Sequence, residues 1–267
     1  MGSGVKALGY LYIAIVATFL LAPVMVLVPL SFDGSIVPSL PPSKPSFAQY
    51  VSFFRDASWM RALGVSARVA GISMVCSLVL GTLAAFALVR SRFRGKAALG
   101  AVLLAPRFTP VIIIALALYA FFASLRLVGT EAGLVLAHTV MSAPYVVIIV
   151  SASLRGFDRS LEQASLSLGA TPLATALKIT LPLTGAALLS AALVAFIVSF
   201  DEIVVAIFIA GTHAATLPKK MWDSLVYEME PSLPAISTLI LATTTVGFIV
   251  VAGLRMFFNR RSTIPSS

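Results

Sequence analysis

The chain has 267 residues, of which 59% are hydrophobic and only 11% charged, with a mean hydropathy of +1.02. A soluble domain carries roughly 25% charged residues, because its surface must be wetted, so a large soluble domain is excluded. The net charge of +9 resembles that of a nucleic-acid-binding domain, but such a domain is not this apolar, and no nucleic-acid partner is expected. One cysteine, Cys76, rules out an intrachain disulfide framework or a Cys-built zinc cluster. Two histidines, His138 and His213, are too few for a His-built metal site.

A membrane helix needs about 20 mostly apolar residues, since the hydrocarbon core is about 30 Å thick. Six stretches qualify: residues 8–30, 62–89, 97–124, 131–154, 183–210 and 235–258. The first is longer than a signal-peptide apolar core of roughly 7–15 residues and lacks a small-x-small cleavage site, so it reads as a retained span. The expectation is an all-α membrane protein, a single transmembrane domain over residues 1–267.

Lys and Arg accumulate on the cytoplasmic side of membrane proteins. With the N-terminus inside, the inner segments hold Lys6, Arg90, Arg92, Arg94, Lys96, Arg155, Arg159, Lys178, Arg255, Arg260 and Arg261, against the acids Asp158 and Glu162. The outer segments hold six basic residues against eight acids when Glu131, Asp201 and Glu202 are counted with them. Arg68 and Arg107 fall within spans. Both termini are therefore expected to be cytoplasmic.

The outer loop 31–61 contains Pro38, Pro41, Pro42 and Pro45 and reads as irregular. Trp59, Trp222 and Tyr227 suit anchors at the outer interface. Arg68 and Arg107 are expected to snorkel to the interface. If the third span begins at residue 97 rather than at Pro106, Arg107 lies deeper and needs a partner. Gly129-x-x-x-Gly133 matches a helix-packing motif but stands at a span end. Cys76 and His138 read as packing residues.

The cytoplasmic loop 155–182 reads as two short helices with a break. Ser160 is a candidate N-cap with Gln163 at capping-box spacing. Leu161, Ala164 and Leu168 form an apolar stripe. Gly169 suits a helix C-terminus, Pro172 suits the first turn of the next helix, and Pro182 marks the start of the fifth span. Such a helix either lies on lipid headgroups or docks into a groove of a soluble partner.

This loop resembles the Glu-Ala-Ala signature of permease subunits of binding-protein-dependent ABC importers. Gln163-Ala164-Ser165 occupies the Glu-Ala-Ala positions, Gly169 follows after three residues, and Ile179-Thr180-Leu181-Pro182 follows after nine more. Two of the first three residues depart from the signature, and Glu162, one position earlier, is a candidate for the missing carboxylate. Later stretches resemble the second permease of spermidine/putrescine-type importers. They are Ser199-Phe200-Asp201-Glu202, Thr216-Leu217-Pro218-x-x-Met221-Trp222, and Pro231 followed by Ala235-x-Ser237-Thr238-Leu239. Pro106-x-x-x-Pro110 with Ile112 is also similar to that group.

The resemblance implies a type I ABC importer permease fold in a bacterial inner membrane. It implies an ATPase-coupling set made of Glu162, Gln163, Ala164, Ser165, Leu168, Gly169, Ala170, Ile179 and Pro182. The implied partners are a second homologous permease, two ABC ATPase subunits and an extracytoplasmic substrate-binding protein. No P-loop G-x-x-x-x-G-K-[ST] is present, so ATP and Mg²⁺ are expected on the partner ATPases, and this chain is expected to bind no cofactor and to catalyse no reaction. The implied cargo is a small polar, cationic solute such as spermidine or putrescine. An opine, an amino acid or an aminophosphonate remains open. A self-sufficient ion-coupled carrier is the alternative of another class, but no inverted repeat supports it.

Ionisable residues inside spans cost about 2.5–3.5 kcal/mol on insertion scales, which makes them functional candidates. Asp201 and Glu202 stand about 28 Å beyond Pro182 at 1.5 Å per residue, and the apolar run continues to Ala210. They are expected either to line the substrate pathway or to cap a helix end or pair with an arginine of a partner.

Overall fold

A computed structural model describes residues 3–262 other than 213 and 229. His213 lies outside the described residues. All regular elements among them are helical; the single β-bridge joins Asp33 to Pro45. The internal contacts divide the chain into one unit of residues 1–60 and 223–243 and another of residues 61–222 and 244–267.

In the first unit, α1 (Ser3–Leu30) presents an apolar segment, Leu8–Leu30, none of whose most apolar window is buried. A helix this apolar needs lipid or another chain around it. The stretch after it is more ordered than its prolines imply. Asp33 is fully buried, and its carboxylate accepts hydrogen bonds from the backbone N–H groups of Ser35 (3.0 Å), Ser39 (2.9 Å), Ser43 (3.2 Å) and Lys44 (3.3 Å). The Ser39 hydroxyl donates a further bond. The prolines remove competing donors from this turn, and the carboxylate satisfies those that remain. Phe32, Phe47 and Tyr50 pack their rings beside it, and a short helix, α2 (Ala48–Arg55), follows. The irregular loop expected over 31–61 is thus replaced by a hydrogen-bonded knot and a helix. Trp59 is also corrected: it is buried and packs against Phe53 rather than anchoring at an interface. Trp222 and Tyr227, in contrast, are exposed.

The second unit contains most of α3 (Ala57–Arg90), then α4 (Lys96–Phe108), α5 (Val111–Ser124) and α6 (Glu131–Gly156). The α3–α6 seam is built from small polar residues. Ser73 Oγ donates to Val135 O (3.1 Å), and Ser77 Oγ lies 2.6 Å from Ser142 Oγ. One turn further on, Gly81 lets Val146 approach so closely that an added Cβ would stand 2.7 Å from it. In hydrocarbon, where apolar burial gives helices little reason to associate, close packing of small residues and interhelical hydrogen bonds supply the attraction. Arg68 does not snorkel alone: it forms an ion pair with Glu131 at 2.6 Å.

Gly129 and Gly133 do not form a helix-dimer face. Gly129 has φ +84° in the turn before α6 and donates its N–H to Ile209 O (2.8 Å), while Gly133 sits where a side chain would meet the Leu127 carbonyl. Cys76 is half-buried.

Two expected spans are broken. The stretch 97–124 is α4 and α5, bent by 107° at Thr109–Pro110. Pro110 supplies no N–H and disfavours helical backbone at Thr109, which is extended. The cytoplasmic loop continues as α7 (Arg159–Ser167), α8 (Pro172–Thr175), a π-helical turn over Ala176–Thr180 and α9 (Leu181–Leu183). This run meets α10 (Gly185–Phe200) at a 77° bend. The stretch 183–210 then breaks a second time after Phe200, and α11 (Val204–Ile209) resumes three residues later. Among the described residues, four helices are long and apolar enough to cross a membrane, or up to six spans if each bent pair counts as one. The helices α12 (Leu217–Tyr227) and α13 (Leu233–Ser262) complete the chain.

Backbone N–H groups hold the Asp33 carboxyl well below the usual carboxylate range, Ser39 foremost, against the opposing effect of burial. A lowered folded-state value means the knot is fully stabilised above the unfolded carboxylate pKa of about 3.9 and loses that stabilisation as pH falls below it. Asp33→Asn should expose the amides of Ser35, Ser39 and Ser43 to faster hydrogen exchange at neutral pH and remove the acid dependence. Unchanged exchange in the variant would show that the knot does not depend on this carboxylate.

Candidate functional site

Two places in the second unit gather the residues singled out by sequence. The first is α7 and its supports. Asp158, not Ser160, is the N-cap. Its carboxylate accepts from the Ser160 N–H (2.9 Å) and hydroxyl (2.8 Å), and the Ser160 N–H holds it below the usual carboxylate range. An acidic cap also complements the positive end of the helix dipole. The helix ends before Gly169, whose φ of +86° is the left-handed conformation of a C-terminal glycine. Thr171 caps α8 and Pro172 occupies its first turn.

Glu162 is committed inside the chain. It forms an ion pair with Arg90, the last residue of α3, at 3.0 Å, and both side chains are mostly buried. Thr180 Oγ1 donates to the same carboxylate (2.9 Å), and Ser165 Oγ lies 3.0 Å from Thr175 Oγ1. Arg159 reaches the Val89 carbonyl (3.3 Å). These bonds hold α7 against the end of α3 and against the π-turn that leads to α10. Their shielding from water makes the ion pair a positional lock, since losing one partner would strand a buried charge.

The other face of the loop is open. Gln163, Ala164, Gly169 and Pro182 are exposed, Ala170 and Ile179 half-exposed. Leu168, expected on an apolar stripe within α7, lies just past its end and is 89% exposed. Leu161, Leu166 and Leu173 are exposed as well. The structure therefore separates the coupling set into an inward lock (Glu162, Ser165) and an outward face. Arg90 and Thr180 belong to that lock, and sequence inspection missed both. Their signal was a basic residue at the end of one span and a hydroxyl one residue after the signature isoleucine.

The second place is a cavity of about 290 Å³ bounded by both broken spans. Pro106, Arg107 and Thr109 line it from the α4–α5 break, Asp201 and Glu202 from the α10–α11 break, and Tyr145 from α6. The expected spans would have carried these residues along straight helices; the two breaks bring them to one wall each of a common space. Glu202 turns one oxygen to the Val205 N–H (3.0 Å), a helix-start role for α11. The Asp201 backbone N–H donates to Ile197 O (3.0 Å), and its carboxylate has no hydrogen-bond or ion-pair partner among the described residues.

Arg107 lies over the Tyr145 ring, 5.2 Å from its centroid. It lines this cavity near the end of a helix that begins at Lys96, not at Pro106. Tyr145 carried no sequence signal: one tyrosine in an apolar helix looks like packing. His138 is buried in α6, with Nδ1 2.9 Å from Ser199 Oγ and Nε2 unpartnered among the described residues. It is a packing residue at the α6–α10 interface. The described residues contain no group of His, Cys, Asp or Glu able to hold a metal ion.

Residues 77–264 match the family described as "Binding-protein-dependent transport system inner membrane component". The putrescine transport system permease protein PotI of Escherichia coli is 38% identical over 240 residues, covering 87% of this chain and 85% of the relative. The spermidine/putrescine transport system permease protein PotC of Haemophilus influenzae is 30% identical over 86% of this chain and 89% of the relative. Among solved structures, a bacterial ABC transporter that imports the acidic polysaccharide alginate aligns with a TM-score of 0.73 at 18% identity. That alignment covers 95% of this chain and 98% of the other. The methionine ABC transporter MetNI aligns at 0.62 and 18%, covering 74% and 95%. These structural likenesses concern the fold alone. The chain belongs to the family of binding-protein-dependent transport system inner membrane components: it is a multi-pass permease subunit of an ABC importer, with the type I permease fold.

Proposed function

We propose that this chain forms half of the translocation pathway of an ATP-driven importer for a small amine. Its relatives named for putrescine and spermidine make polyamines the first candidates. A second, related permease encloses the other half. Two ABC ATPase subunits bind ATP and Mg²⁺ on the cytoplasmic side, and an extracytoplasmic binding protein delivers the solute. Both termini are assigned to the cytoplasm, which the distribution of basic residues supports, and the membrane is assigned as a bacterial inner membrane. The absence of a P-loop assigns ATP hydrolysis to the partner subunits.

The observation that carries the coupling role is the two-sided loop. An apolar outward face suits a groove on an ATPase subunit, and the Arg90–Glu162–Thr180 lock ties the same helix to α3 and to the run into α10. A displacement of α7 is then passed to both. Gln163, Ala164, Leu168, Gly169, Ala170, Ile179 and Pro182 are assigned to the contact, and Glu162 and Ser165 to its support.

Within the membrane, Asp201 and Glu202 are assigned to the pathway. Carboxylates in a cavity attract an ammonium group, and the cavity replaces part of the water it gives up. An amine that also bears an acid, as in opines, amino acids and aminophosphonates, is the second reading, favoured by Arg107 in the same cavity.

A β-branched residue at φ +86° is strained by about 1–3 kcal/mol, and no atom lies within 4 Å of where its Cβ would stand. Gly169→Val should therefore leave insertion intact and lower transport and substrate-stimulated ATPase by at least about tenfold. Gly169→Asn, which tolerates this conformation, should keep more of both. Wild-type transport by the valine variant would refute the coupling role. In reconstituted importer, Asp201→Asn and Glu202→Gln should each raise the KM for putrescine by about tenfold or more, with binding to the soluble binding protein unchanged. An unaltered KM in both would remove the carboxylates from the pathway.

A further inference from the structure

The cavity between the broken spans already holds a cation on an aromatic face. Arg107 places its guanidinium carbon 5.2 Å from the centroid of the Tyr145 ring, and both residues line the cavity together with Asp201 and Glu202. Among the described residues Arg107 forms no ion pair, with these carboxylates or with any other. Its contact with the ring is an attraction of positive charge to the ring quadrupole, which any ammonium placed there shares. Two features make this occupant displaceable. Arg107 is an exposed residue, and the attraction is weak at exposed sites. It also stands one residue before the end of α4, on a long side chain that leaves the ring by changing rotamer, without moving the backbone.

We propose that the Tyr145 face is an ammonium subsite of the pathway, and that Arg107 is a tethered stand-in that fills it until the cargo's ammonium takes its place. A diamine sets one ammonium on the ring, at the α6 wall, and the other at Asp201 and Glu202, at the wall formed by the α10–α11 break. The Arg107 side chain turns to its open side as the cargo enters. Both cation sites lie in a space of about 290 Å³, near the lower end of the roughly 300–1,000 Å³ of small-molecule pockets, which suits a short, unbranched amine. This rests on the reading that the cavity lies on the pathway. It adds Tyr145 to the carboxylates of that reading and assigns Arg107 to the empty state.

Putrescine binding to the permease–ATPase complex in nanodiscs, without the soluble binding protein, tests this through a double-mutant cycle. Arg107→Ala removes the competitor and should tighten putrescine binding about two- to fivefold. Arg107→Lys, which still offers a cation to the ring, should stay near the wild type, and so should Tyr145→Phe, which keeps the face. Tyr145→Leu should weaken binding by about the same factor, and in that background Arg107→Ala should lose its gain. Tyr145→Met serves the same purpose if the leucine variant does not assemble. A gain from Arg107→Ala that is equal with and without the ring shows charge repulsion alone and overturns the stand-in role, as does the absence of any gain. The Asp201→Asn, Glu202→Gln double variant separates the two layers. If it weakens putrescine binding while the cycle is additive, only the ring subsite fails. If it leaves binding unchanged, or if putrescine binds neither the wild type nor Arg107→Ala, the pathway reading fails too.

Discussion

Hydrocarbon offers no hydrogen bonds, so a backbone inside it must satisfy itself, and helix breaks are tolerated only where protein or a water-filled cavity surrounds them. This constraint governs the second unit. Two of its breaks among apolar helices, at Thr109–Pro110 and at Asp201–Ile203, border the same cavity. At the first, Pro110 removes a donor that would otherwise be stranded. At the second, the Glu202 carboxylate receives the Val205 N–H and starts α11. The breaks are therefore compatible with the membrane and also useful. They turn side chains that a straight helix would spread along its length towards a single space, and they permit ionisable groups where an unbroken span would make them a liability.

The packing around that cavity links it to the cytoplasmic loop. Helix α10 runs along α6, and α6 is fastened to α3 by Ser73, Ser77, Ser142 and the close approach of Gly81 to Val146. Such a seam has little slack, because serine-to-carbonyl bonds and backbone proximity fix both distance and register. At the cytoplasmic end of α3, Arg90 takes hold of Glu162 on α7. From α7 the connection runs through Arg90 to α3 and through Thr180 to the π-turn before α10. On the proposed coupling role, a push on the outward face of α7 would be delivered to both α3 and α10. The family signature places a carboxylate near this position; in this chain Glu162 is engaged in an internal lock, and the exposed leucines and Gln163 lie on the other face.

Much of this was legible in the sequence, and for definite reasons. Hydropathy alone marked the apolar stretches that form the long helices, because about 20 apolar residues is a strong signal in a chain with few charges. Gly169 and Pro172 announced the end of one helix and the start of the next, since both have narrow backbone preferences. Spans 97–124 and 183–210 were read as unbroken because hydropathy averages over a window and does not register a bend. Pro106 and Pro110 hinted at the first break; nothing but the carboxylates themselves hinted at the second. The N-cap was misplaced by two residues because Ser160 and Asp158 are both good caps, and only geometry chooses. Pairings between distant segments, such as Arg90 with Glu162, Arg68 with Glu131 and Arg107 with Tyr145, have no local pattern at all. The cage around Asp33 was hidden for the opposite reason: a proline-rich stretch usually signals irregular chain, and here it folds around one acid.

The most direct test of a pathway through the broken spans is a structure of the assembled importer trapped with radiolabel-verified cargo during turnover. Solute density between Tyr145, Arg107 and Asp201, in contact with this chain, is the result that follows from the two breaks and the charges they gather. Density confined to the partner permease, with the Arg107–Asp201 space filled by side chains throughout the cycle, would contradict it.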